Sequence, residues 1–252
     1  DYRFANLPSE SRRTRRSDHI TTDASSVREY AHGDNLGRIH WASTARMNTL
    51  MVKEFDMGIS AEAWVLLDLQ RRVHLGSPPD NTEELAVTVA ASLISRLLEL
   101  SMPVGLAANG DRTVLSRPDS SPEQQGRLME ALAGVRALGD TSLERFIYDL
   151  QPRLNRFNTL TIVTPSGDSE WIGAAEAVRR RGVSVAVVLI DPTSFGARTD
   201  LQFSLDSLFM NNIPTYLVKR GQPLNEALRL PVGLGGDPAG TGVVTTAGQG
   251  PR

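Results

Sequence analysis

Two sets of residues have types and spacings that could do chemistry. The first is a set of oxygen donors. Asp68, Thr164 and Asp191 each close a short apolar run, and Thr141 and Asp168 stand near helix starts. Hydroxyl and carboxylate oxygens gathered at one edge of a fold are the ligands of hard cations, so Asp68, Thr141 and Asp168 could hold Mg²⁺ or Ca²⁺. The same residue types cap helices and turns, and that structural reading stands beside the metal one.

The second set is the densest part of the chain, Val27 to Asp56. It reads Arg28-Glu29-Tyr30-Ala31-His32-Gly33-Asp34, then Arg38-Ile39-His40-Trp41, Ala45-Arg46 and Val52-Lys53-Glu54-Phe55-Asp56. One enzymatic reading makes His40 a general base oriented by Asp34, with Ser43 as nucleophile. Ser43 lies only three residues from His40, however, and no oxyanion hole is indicated. A structural reading pairs Arg28, Arg38 and Arg46 with Glu29, Asp34 and Glu54, while Trp41 and Phe55 anchor the segment. A third reading makes the segment a partner-binding face.

Other chemistries are excluded by what the chain lacks. There is no cysteine, hence no disulfide, thiolate zinc site or cysteine nucleophile. No Gly-x-Gly-x-x-Gly follows the first strand, where Asp68-Leu69-Gln70-Arg71-Arg72 is too bulky for a pyrophosphate turn. A phosphate loop, a His-x-x-x-His pair and a Gly-x-Ser-x-Gly elbow are likewise missing. Lys and Arg number 27 against 29 Asp and Glu, a net charge of -2, which argues against a dedicated nucleic-acid binder. No run of about 18 apolar residues is present to span a bilayer.

The elements that must position these residues follow from periodicity. Residues 1–26 read as an irregular arm carrying Arg12-Arg13-Thr14-Arg15-Arg16, and 231–252 as a Gly/Pro-rich tail expected to be disordered. The start at Asp1 is expected to be a cut in a longer protein. Between them, 27–230 form one unit. Ala63–Leu67 is a strand, and Asn81 with Glu84 opens a helix carrying Leu85, Val89, Leu93 and Leu97. Val104–Ala107 and Thr113–Leu115 flank a turn at Asn109-Gly110-Asp111. Capping boxes at Ser121 and Thr141 open two helices, the first stopping near Gly139. Thr159–Val163, Val183–Ile190 and Pro214–Val218 are strands, with a helix from about Ser169 to Arg181 closed by Gly182, and a short helix from Pro223. Such alternation predicts an open, doubly wound, mostly parallel α/β sheet with helices on both faces. Its ligands should bind outside the carboxyl ends of the strands.

The pattern Arg28-Glu29-Tyr30-x-x-Gly33-Asp34, Arg38-x-His40-Trp41, Ala45-Arg46 and Val52-Lys53-Glu54-Phe55 resembles the signature of the domain-of-unknown-function-58 family, and the likeness continues more loosely to about residue 220. The resemblance implies a von Willebrand factor A-like fold, no established enzymatic activity, membrane anchoring upstream with the domain on the cytoplasmic side, and partnership with a MoxR-class AAA+ ATPase. The resemblance makes Arg28, Glu29, Tyr30, Gly33, Asp34, Arg38, His40, Trp41, Arg46, Lys53 and Glu54 candidates for an interaction motif. A-domains hold their metal with Asp-x-Ser-x-Ser, a threonine and a later aspartate. Asp68 and Thr141 match, but Gln70 and Arg72 replace the serines and Asp168 falls a few residues late. The expectation is therefore a docking module that works without a cofactor.

Overall fold

The computed structural model describes residues 26–30, 41–47, 49–54 and 62–232. Residues 1–25 of the expected arm, almost all of the expected tail, and Gly33, Asp34, Arg38, His40 and Phe55 of the motif lie outside the described residues, and Ser26, expected in the arm, opens the first strand.

The motif segment supplies β1 (Ser26–Glu29), α1 (Trp41–Met47) and β2 (Met51–Glu54). Strands β1 and β2 pair antiparallel, with Arg28 opposite Val52 and Val27 opposite Lys53. Helix α1 is tied to β2 where the Met51 amide donates to Thr44 Oγ1 at 3.0 Å.

The α/β region follows as β3 (Ala63–Leu67), β4 (Gly76–Ser77), β5 (Asp80–Asn81), α2 (Thr82–Glu99), β6 (Val104–Asn109), β7 (Thr113–Asp119), α3 (Pro122–Gly134), α4 (Leu143–Leu150), β8 (Thr159–Thr164), α5 (Ile172–Arg180), β9 (Ser184–Ile190), α6 (Gln202–Met210), β10 (Thr215–Val218) and α7 (Leu224–Ala227). Six strands form one sheet in the order β10-β9-β8-β3-β6-β7, parallel except for the edge strand β7. This is the open, doubly wound sheet expected from the alternation.

The strands can be apolar throughout because both faces are covered. Along β3, Ala63, Val65 and Leu67 join one core with Leu93 of α2, Leu128 of α3 and Ala227 of α7. Trp64 and Leu66 point into the other core, with Phe146 of α4, Ile172 of α5 and Leu208 of α6. Strand β9 divides the same way, with Ala186, Val188 and Ile190 in the first core and Val185, Val187 and Leu189 in the second. The period-two alternation of side chains thus fills two layers from one uninterrupted hydrophobic run.

Local signals set several boundaries. Asn81 Oδ1 accepts the Glu84 amide at 2.7 Å, the expected cap of α2. Gly182, at φ +92°, turns the chain out of α5. Three expectations need correction. The cap of α4 is Ser142, whose hydroxyl accepts the Arg145 amide, rather than Thr141. Helix α3 ends at Gly134, five residues before Gly139, and Ser121 directs its hydroxyl to Asp119 rather than to the helix start. Helix α6 is additional to the expected elements: Phe203, Phe209 and Met210 are exposed, so its apolar residues do not form a single buried stripe.

Candidate functional site

The strand order reverses between β3 and β8. From β3 the chain moves outward to β6 and β7 on one side, then returns to β8 and proceeds to β9 and β10 on the other. The carboxyl ends of β3 and β8 therefore frame the switch point where ligands of such sheets bind.

Register decides which residues meet there. Leu67 lies opposite Ala108 on β6 and opposite Val163 on β8. The next residue on each strand is polar, so Asp68, Asn109 and Thr164 form a row across three adjacent strands. All three are buried. Thr164 Oγ1 donates to Asp68 Oδ2 at 2.7 Å, while Asp68 Oδ1 accepts the Asn109 side-chain amide at 3.2 Å and the Gln70 backbone amide at 3.1 Å. Asn109 also donates to the Thr141 carbonyl at 3.0 Å and accepts the Leu69 amide at 2.7 Å. The Thr164 hydroxyl in turn accepts the Ser166 amide at 2.9 Å. One aspartate thus organises the loops after β3 and β8, and one asparagine ties them to the loop before α4.

Glycine makes the arrangement possible on its outer side. Gly139 bridges to Gln70; its amide donates to the Leu69 carbonyl at 3.2 Å and its carbonyl accepts the Arg71 amide at 2.9 Å. A Cβ on Gly139 would overlap the Asn109 carbonyl oxygen, so only glycine allows the two backbones to come this close.

Behind the row, His74 donates from Nε2 to the Asp68 carbonyl at 2.9 Å, since a carbonyl can only accept. That leaves Nδ1 to accept the Thr82 hydroxyl at 3.1 Å in the neutral ring. Burial pushes the Asp68 carboxyl above its ordinary range, against the opposing pull of the hydrogen bonds from Thr164, Gln70 and Asn109. Burial also holds His74 below its ordinary value of 6.5, outweighing its bond to the Asp68 carbonyl and the Asp68 charge. A depressed histidine means that the unfolded chain takes up the proton first as pH falls. His74 is thus expected to leave stability undisturbed above pH 6.5 and to reduce it progressively below that value. Urea unfolding of His74→Gln against the parent should show a shallower acid limb in the variant. Parallel limbs would remove His74 from the linkage.

The metal-ligand expectation can be tested on these positions. Asp68 is committed to three internal donors, Gln70 and Arg72 stand where two hydroxyls would be needed, and Asp168 and Thr141 are exposed. Thr141 reaches the row only through its backbone carbonyl. The place after β8 expected for a carboxylate is taken by Thr164, which bonds Asp68 directly. Among the described residues no group of three His, Asp or Glu side chains could hold an ion. The hydrogen bonds from Thr164, Asn109 and Gln70 occupy the Asp68 oxygens that a hard cation would use.

Over the closed row lies an open recess lined in part by Arg72, Ser142, Glu144, Asp168, Glu170 and Trp171. It is shallow and of mixed charge. Of the motif residues, Glu29 and Arg46 are exposed and Tyr30 is half-buried, while Arg28 lies in β1, Trp41 in α1, and Lys53 and Glu54 in β2. The proposed His40–Asp34–Ser43 grouping lies largely outside the described residues. The sequence pattern marks Asn109 as a turn residue and Gly139 as a helix stop; strand register reveals the role of Asn109, and the bridge to Gln70 that of Gly139.

A family described as "Protein of unknown function DUF58" matches residues 26–195. The chain belongs to this family. Among curated relatives, the DUF58 chain is 34% identical over 92 residues to the uncharacterized protein YeaD of Bacillus subtilis, a match covering 36% of this chain and 21% of that protein. It is 25% identical over 175 residues to the uncharacterized protein Rv1480 of Mycobacterium tuberculosis, covering 66% of this chain and 54% of the relative. The chain therefore spans between a fifth and about half of the relatives it matches. Solved structures similar to it include BatB from Bacteroides thetaiotaomicron, at 14% identity and TM-score 0.49, covering 67% of this chain and 95% of that one. Manganese-loaded TRAP of Plasmodium vivax is similar at 16% identity and TM-score 0.43, covering 67% and 70%.

Proposed function

We propose that this DUF58 domain is a non-catalytic docking module of a larger, membrane-anchored protein, displayed on the cytoplasmic side and recognising a MoxR-class AAA+ ATPase. One observation carries the reading. The switch point, where an open α/β sheet would receive a small ligand, is filled by Asp68, Asn109 and Thr164 bonding to one another. What remains accessible above it is a shallow recess carrying Arg72, Glu144, Asp168 and Glu170, with charges of both signs suited to a complementary protein surface. The motif helix adds exposed Arg46 as a second contact. The greater length of the curated relatives leaves room for anchoring segments outside this chain, and the Arg12–Arg16 run suits a cytoplasmic flank.

Co-purification with a MoxR-class ATPase from the same organism tests this directly. Arg72→Glu and Arg46→Glu are each expected to lower retention roughly tenfold, because reversal of an interface charge converts attraction into repulsion. Unchanged retention in both, with melting temperatures preserved, would remove these surfaces from the interface. The module is also expected to work without a cation, so millimolar Mg²⁺ or Ca²⁺ should leave its melting temperature where it is. A rise would reveal selective binding to the native state.

A further inference from the structure

The end of the sheet opposite the switch point has a different electrostatic character. Helices α4 and α5 pack side by side on one face and both finish at the amino-terminal edge of the strands. After α4 a single turn of tighter helix, Gln151–Arg153, leads into the loop before β8. That turn and loop carry Arg153 and Arg156, both exposed, and α5 closes on the half-buried Arg179 and the exposed Arg180, with exposed Arg181 as its cap. The two groups adjoin, since a Cβ on Gly182 would sit 3.1 Å from the Arg156 side chain.

Five arginines are more than the helix ends require. A cation in the last turn complements the helix dipole, which accounts for one per helix. Glu176 engages Arg180 at 2.7 Å. Among the described residues, Arg153, Arg156, Arg179 and Arg181 have no carboxylate within ion-pair distance. Arg156 instead lies over the Phe157 ring, 4.7 Å from its centre. The nearby acid, Glu62, accepts from the Asn158 side chain at 3.1 Å.

The loop that presents Arg153 and Arg156 is built to hold its shape. Leu154 is buried in the core, and Asn158 Oδ1 accepts the Asn155 amide at 2.8 Å while Asn155 Oδ1 accepts the Phe157 amide at 2.9 Å. The Asn158 carbonyl accepts the Ser184 amide, fixing the loop to β9. This is also the edge where the chain enters the sheet, for the Glu62 carbonyl accepts the Thr159 amide.

We infer that this arginine edge is a contact surface for the phosphate headgroups of an anionic lipid bilayer. Guanidinium groups match phosphate oxygens in bidentate geometry, and four to eight clustered basic residues are the number that recognises acidic lipid. The cluster occupies one end of the domain rather than a groove or stripe, and the chain as a whole is acidic at -2. Both features favour a flat anionic surface over a nucleic-acid backbone, which draws on a basic footprint tracked along its length. The inference rests on the charge distribution alone and is independent of the docking partner.

The test is sedimentation of the 252-residue chain with phosphatidylcholine vesicles that contain or lack phosphatidylglycerol, at low and high salt. The parent is expected to bind only the anionic vesicles and to be released by salt. At about fivefold per arginine, Arg153→Gln/Arg156→Gln/Arg181→Gln should weaken binding on the order of a hundredfold. Reversing Arg112 and Arg136, at the far end of the domain, should leave it unchanged. The Arg12–Arg16 run stays in every variant, so binding by that arm alone would appear as a triple variant within twofold of the parent, which overturns the inference. Equal binding to vesicles without phosphatidylglycerol overturns it too, as does salt-sensitive capture of duplex DNA with no vesicle affinity. Circular dichroism melts confirm that the triple variant is folded. Should it fail to fold, the single Arg156→Gln and Arg181→Gln variants carry the test, each expected to weaken binding about fivefold.

Discussion

Gly139→Ala is expected to destabilise the domain by about 3 kcal/mol, the top of the usual range for forcing atoms into a packed site. The added methyl would overlap the Asn109 carbonyl oxygen and lie 2.9 Å from the Gly110 carbonyl oxygen, both of them backbone atoms. No rotamer change relieves such a clash, so one of the two backbones must move. Moving Gly139 breaks its hydrogen bonds to Leu69 and Arg71, which zip the loop after β3. Moving Asn109 disturbs the Asp68 row instead. Either way the damage falls on the switch point. In a domain of this size the loss corresponds to a fall in melting temperature of roughly 6–12 °C. The contrast is Gly126→Ala, where a Cβ meets nothing within 4 Å and the site lies inside α3. That change should stabilise by up to about 1 kcal/mol through helix propensity. Melting curves of the two variants differing by less than the error would show that the Gly139 approach is not tight.

The contrast between these two glycines also marks what the sequence can and cannot show. Apolar periodicity is enough for the six strands of the main sheet and most of the helices, though not for α6 or the short β4–β5 pair, because β3, β8 and β9 are buried on both faces and read as continuous hydrophobic runs. Asp68 was legible as well, since a carboxylate directly after such a run stands at the carboxyl edge of a parallel strand. Thr164 is legible in the same way, as the polar residue after the Thr159–Val163 run, but Asn109 is not. Asn109-Gly110-Asp111 has the composition of a turn, and the turn does follow, but Asn109 itself is the last residue of β6 and faces inward. Only the lateral register, with Leu67 opposite both Ala108 and Val163, brings Asn109 and Thr164 beside Asp68. Register is a property of pairs of strands far apart in sequence, and no local pattern encodes it. Gly139 failed to announce itself for a related reason. A glycine after a helix usually ends it, whereas here the need for glycine comes from a strand thirty residues earlier. The motif at Arg28 to Phe55 is the reverse case: its residue types made the family legible, while their arrangement depends on contacts the sequence does not specify.

Asn109→Ala is the second large effect, expected to cost about 3 kcal/mol through the buried groups it leaves without partners. The Leu69 amide loses its acceptor, the Thr141 carbonyl loses its donor, and Asp68 keeps only Gln70 and Thr164. Asn109→Asp separates the hydrogen-bonding role from mere volume. The new carboxylate can still accept the Leu69 amide, but its second oxygen would face the Asp68 carboxylate and the Thr141 carbonyl, where the amide now donates. Two buried carboxylates in contact cannot both ionise cheaply, so the pair must hold a proton that the unfolded chain releases. The folded pair then titrates above the unfolded groups. By linkage its penalty is full at neutral pH and shrinks as pH falls through the raised folded value. Asn109→Asp should therefore be less stable than Asn109→Ala at neutral pH and should regain stability on acidification relative to the alanine variant. Urea unfolding at neutral and acid pH reads both effects. If the two variants keep the same stability difference at every pH, the side-chain contact between positions 68 and 109 is not the one that organises this edge.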